Sequence, residues 1–227
     1  MGKYFGSFQL VFQQLFHFCT VDLSSFYFDI RKDALYCEPV ESPTRVASIF
    51  TLDLVFRRLV TWFAPILPFT MEEVWLNRFP NDEKSVHLED FPETPSTWLD
   101  EDLAKKWDII RNVRGLVTAA IELERQEKRI RSSLEAHVII NVNNKNIFQV
   151  IESVDFSEIC ITSDLEINLC KGILKEDSSL EHSVTIKVMQ AKGEKCDRCW
   201  KYSLSCENFA GRLVCPRCSS VLDPKNL

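Results

Sequence analysis

The sequence predicts a mainly α-helical protein with a small α+β part and a cysteine-rich ribbon near its C-terminal end. Three observations lead there. Apolar residues recur at three- and four-residue steps through the first half of the chain. Near Ser132 that period gives way to short β-branched runs. Two Cys-x-x-Cys pairs, Cys196/Cys199 and Cys215/Cys218, are separated by 15 residues. A chain of 227 residues, 45% of them hydrophobic, holds enough apolar material for one large domain or two to three small ones.

Taken in order, Phe5, Phe8, Phe12, Leu15, Phe16 and Cys19 form one apolar stripe, which predicts a helix with that stripe in a core. Asp22 or Ser24 reads as a break and N-cap before a second helix carrying Phe26, Ile30 and Leu35. Ser42-Pro43 starts a third, since proline suits the first helical position. Its stripe runs Val46, Ile49, Phe50, Asp53, Phe56, Leu59, Val60 and Phe63, with Asp53 the one polar member. Pro65 and Pro68 end it. Thr70-Met71-Glu72-Glu73 reads as a capping box opening the next helix. The acidic stretch from Pro80 to Pro95 is a surface excursion. A long amphipathic helix is predicted over 102–131, with Trp107, Ile110, Val113, Val117, Ala120 and Ile121 on its apolar face. Its basic residues gather toward the C-terminal end, where they suit the helix dipole.

Beyond it, Ala136 to Val142 reads as a strand, 147–153 as a short helix, 156–162 as a second strand and the alternating 184–189 as a third. The expected division is therefore a helical part (1–131), a small α/β junction unit (132–191) and a ribbon with its tail (192–227).

Composition removes several function classes. The six glycines, at 2, 6, 115, 172, 193 and 211, have neither the G-x-G-x-x-G nor the Walker A spacing, so glycine-rich phosphate cradles are absent. The longest uncharged apolar run, Leu59 to Phe69, is interrupted by two prolines and is far too short to span a bilayer. The N-terminus turns polar at Gln9, Gln13 and Gln14, unlike a signal peptide. These features predict a soluble cytoplasmic chain, with an organellar matrix as the other compartment that fits, and no membrane partner. The net charge of −6 hides blocks of opposite sign. Residues 72–101 hold nine acids against two bases, whereas 103–131 hold eight bases against four acids and 192–222 six against three. Two basic surfaces on an acidic body follow.

The nine cysteines lie at 19, 37, 160, 170, 196, 199, 206, 215 and 218. Cys196, Cys199, Cys215 and Cys218 have the spacing of two knuckles that bring four thiolates around one Zn²⁺. Thiolates are soft ligands, and a closed four-sulfur site leaves no open catalytic position, so the metal is structural. Disulfides would need an export signal, and none is present. Cys206 lacks a partner at knuckle spacing; Cys19, Cys37, Cys160 and Cys170 read as small packed side chains. The four histidines are scattered, and no nucleophile–base constellation is found. Trp200 follows the second knuckle cysteine, among Lys195, Arg198, Lys201, Arg212 and Arg217. An exposed indole could stack on an unpaired base beside phosphate-binding amides and cations, or it could cover the small core of the ribbon.

Four segments in order resemble bacterial-type isoleucyl-tRNA synthetases. They are Asp22-Leu23-Ser24-Ser25-Phe26-Tyr27-Phe28-Asp29-Ile30-Arg31-Lys32-Asp33, Ala64-Pro65-Ile66-Leu67-Pro68-Phe69-Thr70-Met71-Glu72-Glu73-Val74-Trp75, Ser132-Ser133-Leu134-Glu135-Ala136, and Gly193 to Trp200 with Cys215 and Cys218. One departure is Arg131, which stands where that family usually ends the long helix with glycine.

The resemblance implies the C-terminal portion of such an enzyme: an anticodon-binding bundle, a junction and a zinc finger, monomeric and partnered by tRNA(Ile). It implies ATP as a cosubstrate of the full-length enzyme only, because HIGH and KMSKS-type segments and an editing domain do not occur in these residues. The isolated chain is expected to form no adenylate. The expected RNA contacts are Arg111, Arg114, Arg125, Lys128, Arg129 and Arg131 on the long helix, with Arg198, Trp200 and Lys201 on the ribbon. Two other readings remain open: a stand-alone zinc-dependent nucleic-acid-binding module, and a protein-docking appendage.

Overall fold

The computed structural model describes residues 8–80, 84–170 and 183–222. It is mainly α with a small α+β part, and its contacts divide it into two units, 1–99 and 100–227.

The first unit begins with α1 (Phe8–His17), which passes through a π-helical segment (Phe18–Phe28) into α2 (Asp29–Cys37). The break expected at Asp22 or Ser24 does not occur. Hydroxyls along the segment bond to backbone carbonyls: Thr20 Oγ1 donates to Phe16 O at 2.9 Å, and Ser25 Oγ donates to Thr20 O, five residues back, at 2.8 Å. Serine and threonine bonded in this way loosen a helical turn without ending it. Helix α3 (Pro43–Phe63) starts at the expected proline, and α4 (Pro68–Arg78) follows. The capping box at Thr70 and Glu73 is overturned, because Pro68 already occupies the first turn of α4. Glu72 instead reaches outward, accepting from Ser85 Oγ at 2.8 Å and Val86 N at 3.0 Å, and so pins the acidic excursion.

A small core joins Val60, Ala64, Trp75 and Val86. The stripe of α1 was expected to be core, yet Phe8 and Phe16 are exposed and no residue of α1 is buried. Phe12 makes an edge contact with Phe63, their ring centroids 6.2 Å apart. Asp53, the polar member of the α3 stripe, binds Arg57 at 2.9 Å and Arg78 at 3.0 Å.

The second unit is organised by α5 (Glu101–Gln126), whose N-cap Asp100 accepts from Leu103 N at 2.9 Å. This helix stops short of the expected residue 131. Lys128 takes a left-handed φ of 59°. Its amide bonds Arg125 O, and that of Arg129 bonds Glu124 O, both at 3.0 Å. This is a Schellman motif with lysine where glycine is usual, so the stop lies three residues before Arg131.

Strand β1 (Ala136–Val142) is central to a three-stranded sheet, parallel to β2 (Asp164–Leu169) and antiparallel to β3 (Val184–Gln190). Helix α6 (Lys145–Glu152) covers it. The strand expected at 156–162 is instead α7 (Phe156–Cys160). Asp155 caps it by accepting from Glu158 N at 2.9 Å, and Ile161, at φ 58°, turns the chain into β2. Ile110, Val113, Val117 and Ile121 of α5 bury against Val138, Ile140, Val142 and Ile151. That apolar stripe faces the sheet, so α5 folds with the α/β part although the expected functional boundary follows residue 131.

The ribbon consists of two hairpins, β4 (Glu194–Lys195) with β5 (Tyr202–Ser203) and β6 (Glu207–Phe209) with β7 (Arg212–Val214), followed by α8 (Pro216–Leu222). Among the described residues, no helix is long and apolar enough to cross a membrane.

Candidate metal centre and nucleic-acid surface

Cys196 and Cys199 lie in the turn between β4 and β5; Cys215 and Cys218 lie where β7 passes into α8. Local chemistry shapes both knuckles. Trp200 takes a left-handed φ of 65°, letting its amide return to Cys196 O at 2.9 Å. The second hairpin turns through Ala210 and Gly211, both at positive φ, as a two-residue type I′ turn requires. Asp197 locks the knuckles together: its amide donates to Leu213 O at 2.8 Å, and its Oδ2 accepts from Leu213 N at 2.8 Å. Gly193 permits the ribbon to close, since a Cβ there would stand 2.3 Å from Ser203 O.

The outcome is a buried group of four sulfurs, all within 4.8 Å of one another. Cys199 Sγ and Cys215 Sγ are 3.8 Å apart. A tetrahedral Zn²⁺ with Zn–S bonds of about 2.3 Å sets its sulfurs roughly 3.8 Å apart. The site therefore fits a metal ion, and its all-sulfur donor set suits zinc. Burial opposes ionisation of Cys196, but backbone amides of Cys199, Cys215 and Arg198 outweigh it and bring that thiol down to about 6. Burial pushes Cys199 upward, with repulsion from the neighbouring sulfurs adding to the shift, and pushes Cys218 up to about 11 although the hydrogen bond from Arg198 opposes it. A cation at the centre reverses that repulsion. Arg198 Nη1 stands 3.7 Å from Cys218 Sγ, so its charge already serves the sulfurs. The remaining cysteines differ: burial raises Cys160 to about 12, which makes it an inert packed thiol.

The helix cations expected to meet RNA have different surroundings. Arg114 is committed to structure, its Nε donating to Ile159 O at 2.9 Å between α5 and α7. Arg129 pairs with Glu124 and Glu127. Hydrogen bonding to Arg129 holds the Glu124 carboxyl below its ordinary range. Arg125, Lys128 and Arg131, with Glu122, Gln126 and Ile130, line a polar depression of about 420 Å³ at the end of α5. Within it Arg125 pairs with Glu122 at 2.7 Å. Arg111 lies half-buried on the same helix.

On the ribbon Trp200 is 59% exposed, so it does not cover the core there, and Lys195 Nζ sits 5.5 Å from its ring centroid. Lys201 is adjacent and half-buried. The sequence places Lys195 near Trp200 without showing that it lies over the ring, and it does not reveal the lock made by Asp197, which sits between two ligands. His137, Asp164 and Glu166 also meet, with His137 Nδ1 2.6 Å from Asp164 Oδ2 and Nε2 3.5 Å from Glu166 Oε1. Their two ring nitrogens face different carboxylates, so they form a polar strip on the outer sheet face.

The family described as the anticodon-binding domain of tRNA ligase matches residues 6–140. The chain belongs to that family. Isoleucine–tRNA ligase of Pelagibacter ubique is 45% identical over 211 residues, covering 92% of this chain and 22% of that protein. The Bartonella henselae enzyme of that name is 46% identical over 86% of the chain, and that of Ruegeria pomeroyi 44% over 95%. The chain thus spans about a fifth of the length of the curated relatives it matches (20% of the Bartonella protein). Membership accounts for the helical first half and for α5 within one matched segment, even though α5 packs on the sheet.

Proposed function

We propose that this chain is the tRNA-recognition portion of an isoleucine–tRNA ligase, with 1–131 acting as the anticodon-binding part, 132–191 as the junction and 192–227 as a zinc finger. The carrying observation is the family match over residues 6–140 together with about 45% identity to the Pelagibacter isoleucine–tRNA ligase. The partner is tRNA(Ile), held through its backbone by cations and through unstacked bases by exposed aromatic side chains. Arg125, Lys128 and Arg131 at the α5 end, and Arg198, Trp200 and Lys201 on the ribbon, are the contacts this reading favours. Zinc at Cys196, Cys199, Cys215 and Cys218 holds the ribbon in its folded form. Joining isoleucine to the tRNA at the expense of ATP belongs to residues outside this chain, and the enzyme works in the cytoplasm.

The test is a gel shift of the purified chain with tRNA(Ile), an anticodon-mutated tRNA(Ile) and duplex DNA. Selective retention of the first is expected. Equal retention of all three would make the chain a general nucleic-acid-binding module. Isoleucine-dependent pyrophosphate exchange by the chain would refute its assignment as a non-catalytic portion. The exposed Phe8 and Phe16 on α1 favour a second, compatible role, docking to another polypeptide.

A further inference from the structure

The ribbon could hang from the α/β part by its covalent link alone, yet the structure anchors that link at its base and adds a second tie within the ribbon. Ala191, just ahead of the ribbon, donates its amide to Glu135 O at 2.7 Å and is itself buried. Eleven residues later, Tyr202 N donates to Ser163 Oγ at 2.7 Å. Ser163, half-buried just before β2, donates the same hydroxyl to Leu134 O. One hydroxyl thus bridges the ribbon to the turn formed by Ser133, Leu134 and Glu135. That turn also holds the segment that leaves the long helix, because Glu135 Oε2 accepts from Arg131 N at 2.9 Å, and Arg125 Nε in the last turn of α5 donates to Arg131 O at 3.3 Å.

Two attachment points remove the swivel that one would leave. Tyr202 directly follows Trp200 and Lys201, and Arg131 is one of the cations in the depression at the α5 end. The Leu134–Glu135 turn therefore connects, through side-chain and backbone bonds, the two basic surfaces assigned to RNA. Each tie is a single hydrogen bond and is weak by itself. Its effect on binding comes from preorganisation: two surfaces held in one orientation spare the ordering cost that two independent ones incur.

We infer that Ser163 and Glu135 are positioning residues that lock the four-cysteine ribbon to the end of the long helix, so that both basic surfaces engage one RNA molecule together. The RNA part of this inference rests on the proposed function; the mechanical part does not. Ser163 is not itself placed against RNA, and its hydroxyl bonds both the ribbon and the turn.

The experiment compares the zinc-loaded chain with its S163A and S163T variants. Amide nitrogen relaxation reports whether residues 194–222 tumble with the α/β part. The native chain and S163T are expected to show one common correlation time, and S163A a shorter one for the ribbon, with zinc content still one per chain. Native-like ribbon relaxation in S163A overturns the lock, whatever the RNA result. In parallel, affinity for a tRNA(Ile) transcript should fall roughly three- to tenfold in S163A and recover in S163T. Native binding that is unchanged in S163A, despite a freed ribbon, overturns the joint engagement. Absence of binding by the native chain itself would defeat the functional reading while leaving the relaxation result to decide the lock.

Discussion

Removing the metal should dissolve the ribbon and leave the sheet standing. The buried residues of the described ribbon are Cys196, Cys199, Val214, Cys215 and Cys218. Val214 is the single hydrocarbon side chain among them, and burying a valine is worth about 1.5–3 kcal/mol. Ordering each residue costs about 1–2 kcal/mol in backbone entropy alone, so a segment of this length cannot hold itself together by apolar burial. A structural Zn²⁺ site supplies about 10–16 kcal/mol in comparable small folds. The α/β core, by contrast, buries Ile110, Val113, Val117, Val138, Ile140, Val142 and Ile151 with no contribution from the cysteine group. Stripping the ion with a strong chelator should therefore release the amides of 195–218 to rapid hydrogen exchange. The amides of Val138 and Ile140 should keep their protection. Cys218→Ser should reproduce the loss; Cys206→Ser should not, since Cys206 lies outside the four-sulfur group. Persistent protection of the ribbon in demonstrably metal-free protein would refute the reasoning. So would simultaneous loss of protection in ribbon and sheet, which would make them one cooperative unit.

Other perturbations test the fold at single positions. Lys128→Gly should raise stability by about 0.5–1 kcal/mol in urea titration, because glycine adopts the left-handed φ of 59° freely and both Schellman bonds are backbone bonds. Lys128→Ala should give no such gain. Gly193→Ala should lower zinc affinity measured by chelator competition and destabilise the β4–β5 hairpin by at least about 2 kcal/mol, because its Cβ meets Ser203 O at 2.3 Å. Asp53 supplies a pH prediction. Hydrogen bonding to Arg57, followed by the charges of Arg57 and Arg78, holds its carboxyl below the ordinary range despite some burial. A depressed folded pKa stabilises above the unfolded value of about 3.9, and that contribution disappears as pH falls through the folded value. Asp53→Asn should therefore lower stability near neutral pH by about 0.5–1 kcal/mol and flatten the acid limb of the profile measured by thermal melts.

Much of the candidate site was legible in the order of residues. Cys196, Cys199, Cys215 and Cys218 could be assigned together because metal geometry constrains knuckle spacing directly. The long helix and β1 were equally readable, since the apolar period of each reports which face is buried. Local contests between similar options were less readable. Asp155 and the left-handed Ile161 made a helix of residues whose apolar content suits a strand, and the capping box lost to a proline two residues upstream. Lys128 ended α5 because backbone bonds, not residue type, decided the stop.

What the sequence determined by itself is therefore the chemistry that is local in the chain: helical periods, knuckle cysteines, and the landmarks shared with a tRNA ligase family. Only the tertiary structure decided which cations are spent on carboxylates or carbonyls, that α5 folds with the sheet, and that Ser163 meets both Leu134 and Tyr202. Those partners lie 29 and 39 residues away in the chain. Side-chain spacing carries no record of such meetings, because they are set by how strands register and helices pack, and the hydrogen bonds form only after that packing brings them within reach.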